Sequence, residues 1–126
     1  LVFAMFSLAQ QPAEPPGAEM AVLKAGLGDC SADFTVKDAD GAPVYGAAIS
    51  VSVRYGFLGI RRADLEVGTN AQGRARIEGL PDRAKPLTYD IRKAGKGAIV
   101  QQDVNTRCRG VYDVSLKDDV KDDVPG

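Results

Sequence analysis

From residue 33 to 116 the chain alternates apolar and polar positions in short runs, each closed by Gly, Pro, Asn or Asp. The clearest run is 47–55, where Ile49, Val51, Val53 and Tyr55 share one side and Ala48, Ser50, Ser52 and Arg54 the other. A period of two held with β-branched residues on one side predicts a half-buried strand. The same alternation appears around Phe34 and Val36, Leu65 and Val67, Ala75 and Ile77, Leu87 to Ile91, and Tyr112 to Leu116. A weaker one covers about 98–104. Turn chemistry separates them, in Asp38-Ala39-Asp40-Gly41-Ala42-Pro43, Thr69-Asn70-Ala71-Gln72-Gly73 and Gly95-Lys96-Gly97. No helical period lasts beyond one or two turns. The pattern predicts an all-β domain, a seven-stranded antiparallel Greek-key sandwich of Ig-like architecture.

The inward set expected from these runs is Phe34, Val36, Ile49, Val51, Val53, Leu65, Val67, Ala75, Ile77, Leu80, Leu87, Tyr89, Ile91, Tyr112, Val114 and Leu116. That is enough for a two-layer core in a chain of 126 residues. Composition then removes chemistry. With no His, the chain lacks the commonest general base, the commonest metal ligand and the Ser-His and Cys-His pairs. Two Cys cannot build a four-thiolate zinc site. The expectation is a protein that is not an enzyme, with no cofactor and no metal.

Net charge is −1, unevenly spread. Residues 54–109 hold twelve basic and six acidic groups, a balance of +6, between acidic flanks of −4 and −3. A polyanion could be drawn to such a stretch. Its basic residues alternate with apolar ones, as in Arg74-Ala75-Arg76-Ile77, so the reading is solvated strand faces and no nucleic-acid partner.

Residues 1–9, Leu-Val-Phe-Ala-Met-Phe-Ser-Leu-Ala, resemble the end of a secretory h-region, with Ser7 and Ala9 as the small residues before a cut ahead of Gln10. A truncated membrane anchor is the alternative; nine residues are too few to span a bilayer stably. Residues 10–28 read as a Pro-rich spacer, 29–117 as the sandwich, and 118–126 as an acidic flexible tail. Export predicts a secreted or periplasmic location, where two cysteines pair. Cys30 and Cys108 each stand just ahead of an alternating run. If those two runs are parallel neighbours, the sulfurs meet at one end; two free thiols are the alternative.

Three stretches, taken together, resemble carboxypeptidase regulatory-like domains. They are Lys37 to Ala47 leading into an alternating strand, Thr69 to Pro81 ending in Gly79-Leu80-Pro81, and Leu87 to Gly95. The resemblance covers 33–116 and implies a transthyretin-like (prealbumin-like) sandwich in an exported bacterial protein, serving as a binding or structural module. The stretch Arg54 to Arg62 is longer and more apolar than the family's pattern. Related transthyretin-like hydroxyisourate hydrolases use histidines that this chain lacks.

That longer stretch is the candidate contact surface: Arg54, Tyr55, Phe57, Leu58, Arg61 and Arg62, with Gly56, Gly59 and Ile60 between them. Loops at sandwich ends carry recognition, and aromatic and Arg side chains dominate binding hot spots. The competing reading is that Phe57, Leu58 and Ile60 plug the open end of the core. The partner expected is a protein, with a cell-envelope glycan as the alternative. No Trp offers a sugar platform, which leaves Tyr45, Tyr55 and Phe57. Asp38-Ala39-Asp40-Gly41 looks like a fragment of a calcium loop but lacks its later ligands, so a turn is expected. Gly95-Lys96-Gly97 lacks the rest of a phosphate loop. Asp64 and Glu66 form a conceivable carboxylate pair, read as strand surface charge.

Overall fold

In the computed structural model, which describes residues 20–118, two sheets pack face to face with no α-helix among the described residues. The strands are β1 (Ala21–Lys24), β2 (Cys30–Lys37), β3 (Ala48–Tyr55), β4 (Arg61–Gly68), β5 (Arg74–Leu80), β6 (Leu87–Lys93), β7 (Lys96–Gln102), β8 (Arg109–Ser115) and β9 (Lys117–Asp118). One sheet runs β1-β5-β2-β8 and the other β4-β3-β6-β7-β9. The all-β sandwich expected from the alternation is present.

Three details differ from the expectation. There are nine strands among the described residues, not seven, because β1 and β9 join the edges. Pairing is mixed: β1 lies parallel to β5 and β2 parallel to β8. Ala21–Lys24, inside the stretch read as spacer, is a strand, and Asp118, read as the start of the tail, pairs with Lys96. Four- and two-residue strands are too short to show a period, and only their neighbours hold them. The h-region at 1–9, the spacer up to 19 and the tail beyond 118 lie outside the described residues.

The core fills from both sheets. Phe34, Val36, Ile49, Val53, Ile77, Leu80, Leu87, Tyr89, Ile91 and Leu116 are buried, as the inward set requires. Leu65 and Tyr112 are only half-buried, while Cys30, Ala32, Ala47 and Val104 join the core without having been expected there. Phe34 of β2 meets Tyr89 of β6 edge to face, ring centroids 4.8 Å apart, a favourable quadrupole geometry that joins the sheets.

The family-like motifs are structural devices. Thr69 is buried; its Oγ1 accepts from the Ala47 N–H at 2.9 Å and donates to the Val44 carbonyl at 2.6 Å. Asn70 Oδ1 accepts from the N–H groups of Gln72 and Arg74, each at 2.9 Å, which closes the turn into β5. Asp38 Oδ1 accepts from the N–H groups of Asp40 and Ala42, so this carboxylate shapes a turn, the reading favoured over a cation loop. β2 and β8 run side by side from Ser31↔Arg109 to Lys37↔Ser115. That pairing brings Cys30 and Cys108 to one end, where they form a disulfide with Cα atoms 4.6 Å apart.

Candidate functional site

Every register pair of β3 with β4 is formed, from Ala48↔Gly68 to Tyr55↔Arg61, so the hairpin stays regular up to its turn. Five residues, 56–60, join the strands. Gly59 N–H donates to the Gly56 carbonyl at 3.0 Å and Ile60 N–H to Phe57 at 3.3 Å, making a short 3-10 turn. Gly56, Leu58 and Gly59 all take positive φ, at 82°, 58° and 64°. Glycine does this without cost, but a leucine there gives up about 1–2 kcal/mol.

The turn leaves its apolar side chains in solvent. Phe57 is 78% exposed, Leu58 79% and Ile60 71%. The reading in which these residues plug the sandwich end does not hold. Tyr55 behaves differently: it is half-buried and packs against the core, forming the root of the hairpin.

Register also fixes where the arginines stand. Arg54 and Arg62 are a directly opposed pair on the outer side of the sheet, with Ser52 and Asp64 below them. Arg61 is opposite Tyr55 and takes the other side. Arg54, Arg61 and Arg62 are all exposed, and Lys85 borders the same shallow groove as Arg54 and Arg62. From Arg54 to Ala63 there is no acidic residue. The structure places Arg54, Phe57, Leu58, Arg61 and Arg62 exposed at one hairpin end with Ile60 between them, sets Tyr55 half-buried at its root, and adds Lys85 beside them.

Farther along the outer face, Ser52 Oγ donates to Asp64 Oδ1 at 2.6 Å and Arg62 Nε donates to the same oxygen at 3.0 Å. The Ser52 hydrogen bond, then the Arg62 one, hold the exposed Asp64 carboxyl below its ordinary range. Asp64 is thus engaged by its own sheet. Ser50, Ser52, Glu66, Thr88 and Asp90 continue this polar face. A groove of about 590 Å³ runs between β7 and β8 over Ala98, Ile99, Val100 and Val114. Among the described residues no group of three or more His, Cys, Asp or Glu could hold a metal ion. No helix among them is long and apolar enough to cross a membrane.

No protein-family model matches the chain, and no curated protein does. Among solved structures it is similar to a catechol 1,2-dioxygenase from Pseudomonas arvilla, with TM-score 0.53, 13% identity and coverage of 79% of this chain. It spans 58% of that dioxygenase's chain. It is also similar to a 3-chlorocatechol 1,2-dioxygenase from Rhodococcus opacus, with TM-score 0.50, 17% identity, and coverage of 85% of this chain and 69% of that one. A shaft pilin from Lactobacillus rhamnosus has TM-score 0.47 at 12% identity, covering 71% of this chain and 46% of the pilin's. The first two likenesses show the β-sandwich fold.

They also correct one expectation. The lack of His does not place the chain outside the enzymes, because the sandwich resembles parts of two dioxygenases. The inference failed because composition speaks to some catalytic devices only, while one scaffold hosts many functions through the groups grafted on it.

Proposed function

We propose that the chain is an exported interaction module of the carboxypeptidase regulatory-like kind, working at the cell envelope, with the β3–β4 hairpin end as its contact surface. The observation that carries this reading is the joint exposure of Phe57, Leu58 and Ile60 on one turn. Exposed apolar clusters on a soluble domain mark contact sites. The disulfide fits an oxidising compartment, which supports export. The family assignment draws on the residues around Asp38, Thr69 and Gly79, whose hydrogen bonds and turns give the resemblance a structural cause.

The test is cosedimentation of the folded chain with bacterial envelope fragments, beside the double variant Phe57→Ser/Leu58→Ser. Wild type is expected in the pellet, and the variant in the supernatant with an unchanged melting temperature. A variant that pellets as wild type does removes the hairpin end as the contact surface.

A further inference from the structure

Resting on that reading, we infer that the surface met by the hairpin end is an anionic lipid layer, into which Phe57, Leu58 and Ile60 insert while Arg54 and Arg61 hold the headgroup phosphates.

Three observations point there. The apolar part is narrow: three side chains on a five-residue turn, each at least 71% exposed. A stable protein–protein interface uses roughly 20–30 residues a side. Three apolar side chains make a small centre for such an interface, whereas binding to a headgroup layer adds attraction to anionic lipid to the buried apolar area, so a small wedge framed by cations suits it.

Charge surrounds the wedge on both sides. The Arg54–Arg62 pair stands on the outer side of the hairpin and Arg61 on the other, with Lys85 beside the first pair. A flat protein patch would meet one side of such a hairpin; a lipid layer meets every side at once. Guanidinium groups bind phosphate through two parallel N–H donors, and each basic group near an anionic membrane adds attraction.

Depth agrees as well. Arg61 is one residue step below the turn and the Arg54–Arg62 pair two steps, at about 3.3 Å a step. An interfacial element reaches about 5–10 Å into the headgroup and acyl boundary, so the wedge and the cations fall in the right zones together. Asp64, close behind, accepts from Arg62 and Ser52, so Arg62 is held by its own sheet and Arg54, Arg61 and Lys85 are the cations left to meet phosphate.

The chain has no Trp, so Phe57→Trp gives a single reporter at the wedge. The full chain carrying it is titrated with vesicles of phosphatidylcholine alone and of phosphatidylcholine with phosphatidylglycerol, with sedimentation in parallel. The expected result is a blue shift of Trp emission with the anionic vesicles only. Adding Leu58→Ser and Ile60→Ser should weaken binding about tenfold or more. Arg54→Gln/Arg61→Gln should weaken it about fivefold per arginine, with melting temperatures unchanged. Equal binding to both vesicles, or sedimentation with no emission shift, overturns the inference. No binding to either vesicle also overturns it. If envelope fragments still capture the chain through Phe57 and Leu58 in that case, the contact surface stands with a protein or glycan partner; if they do not, both proposals fall.

Discussion

Tyr89 Oη donates to Gln102 Oε1 at 2.5 Å, and both side chains are buried between the sheets. The amide of Gln102 then donates to the Ser31 carbonyl at 3.1 Å and the Arg107 carbonyl at 2.8 Å. One glutamine therefore ties β6, the start of β2 and the segment leading to Cys108. Tyr89→Phe leaves Oε1 buried without its donor and should cost about 1–3 kcal/mol in urea unfolding. Gln102→Leu should cost more, because it strands two backbone carbonyls and the Tyr89 hydroxyl together.

The same burial sets an alkaline limit. Loss of hydration raises the Tyr89 phenol well above its ordinary value of 10, and the nearby Tyr112 adds to the rise. Tyr112 is raised by burial as well, against the pull of Arg107. A phenol whose folded value lies above its unfolded one binds its proton more tightly when folded. Its contribution is complete below about pH 10 and is lost as pH climbs past that point. Stability measured from pH 8 to 12 should fall above pH 10, and Tyr89→Phe/Tyr112→Phe should flatten the fall.

Gly73 sits at φ 76° with Val44 N 3.2 Å from the place a Cβ would occupy and the Val36 carbonyl oxygen closer still. That carbonyl belongs to β2, so the obstruction is backbone and cannot swing aside. Gly73→Ala should cost about 2–4 kcal/mol, whereas Gly41→Ala, at φ 86° in open space, should cost about 1 kcal/mol. Parallel urea titrations compare the two.

The β6–β7 turn is two residues, Ala94 at φ 50° and Gly95 at φ 82°, the mirror-image turn that suits the twist of a hairpin. Alanine is the poor fit there. Ala94→Asn should raise stability by about 0.5–1 kcal/mol, read as a higher melting temperature.

The Cys30–Cys108 bridge spans 78 residues of sequence. Chain entropy alone assigns a clip of that length about 4.5 kcal/mol. Cys30→Ala/Cys108→Ala should lose stability of that order in urea titration. Native protein should leave a thiol reagent unreacted until a reductant is added.

Much of this was legible because alternation and burial have the same cause. Val51 and Val53 are expected in the core and are there, and the sulfurs are expected to meet if the runs after Cys30 and Cys108 are parallel neighbours, as β2 and β8 are. β7 was the weak reading for a physical reason: Ile99 faces solvent and Gln102 faces the core, the reverse of what side-chain polarity suggests. Gln102 is buried because three partners satisfy it, and partners from β2 and β6 are invisible in a linear pattern. The hairpin end was visible as apolar and cationic. Whether Phe57 turned inward or outward depended on the turn geometry of Gly56 and Gly59, which residue types alone leave open.

The clip also decides where a pulling force would travel. Tension applied to the two ends of the chain enters at Cys30 and leaves at Cys108, residues whose Cα atoms are 4.6 Å apart. The load then bypasses β3 to β7. Stretching could peel β1, β8 and β9, yet the enclosed length, on the order of 260 Å if drawn out, stays locked until the sulfurs part. The β3–β4 hairpin with its exposed turn lies within the protected span, so a copy held at both ends would keep that hairpin folded under strain.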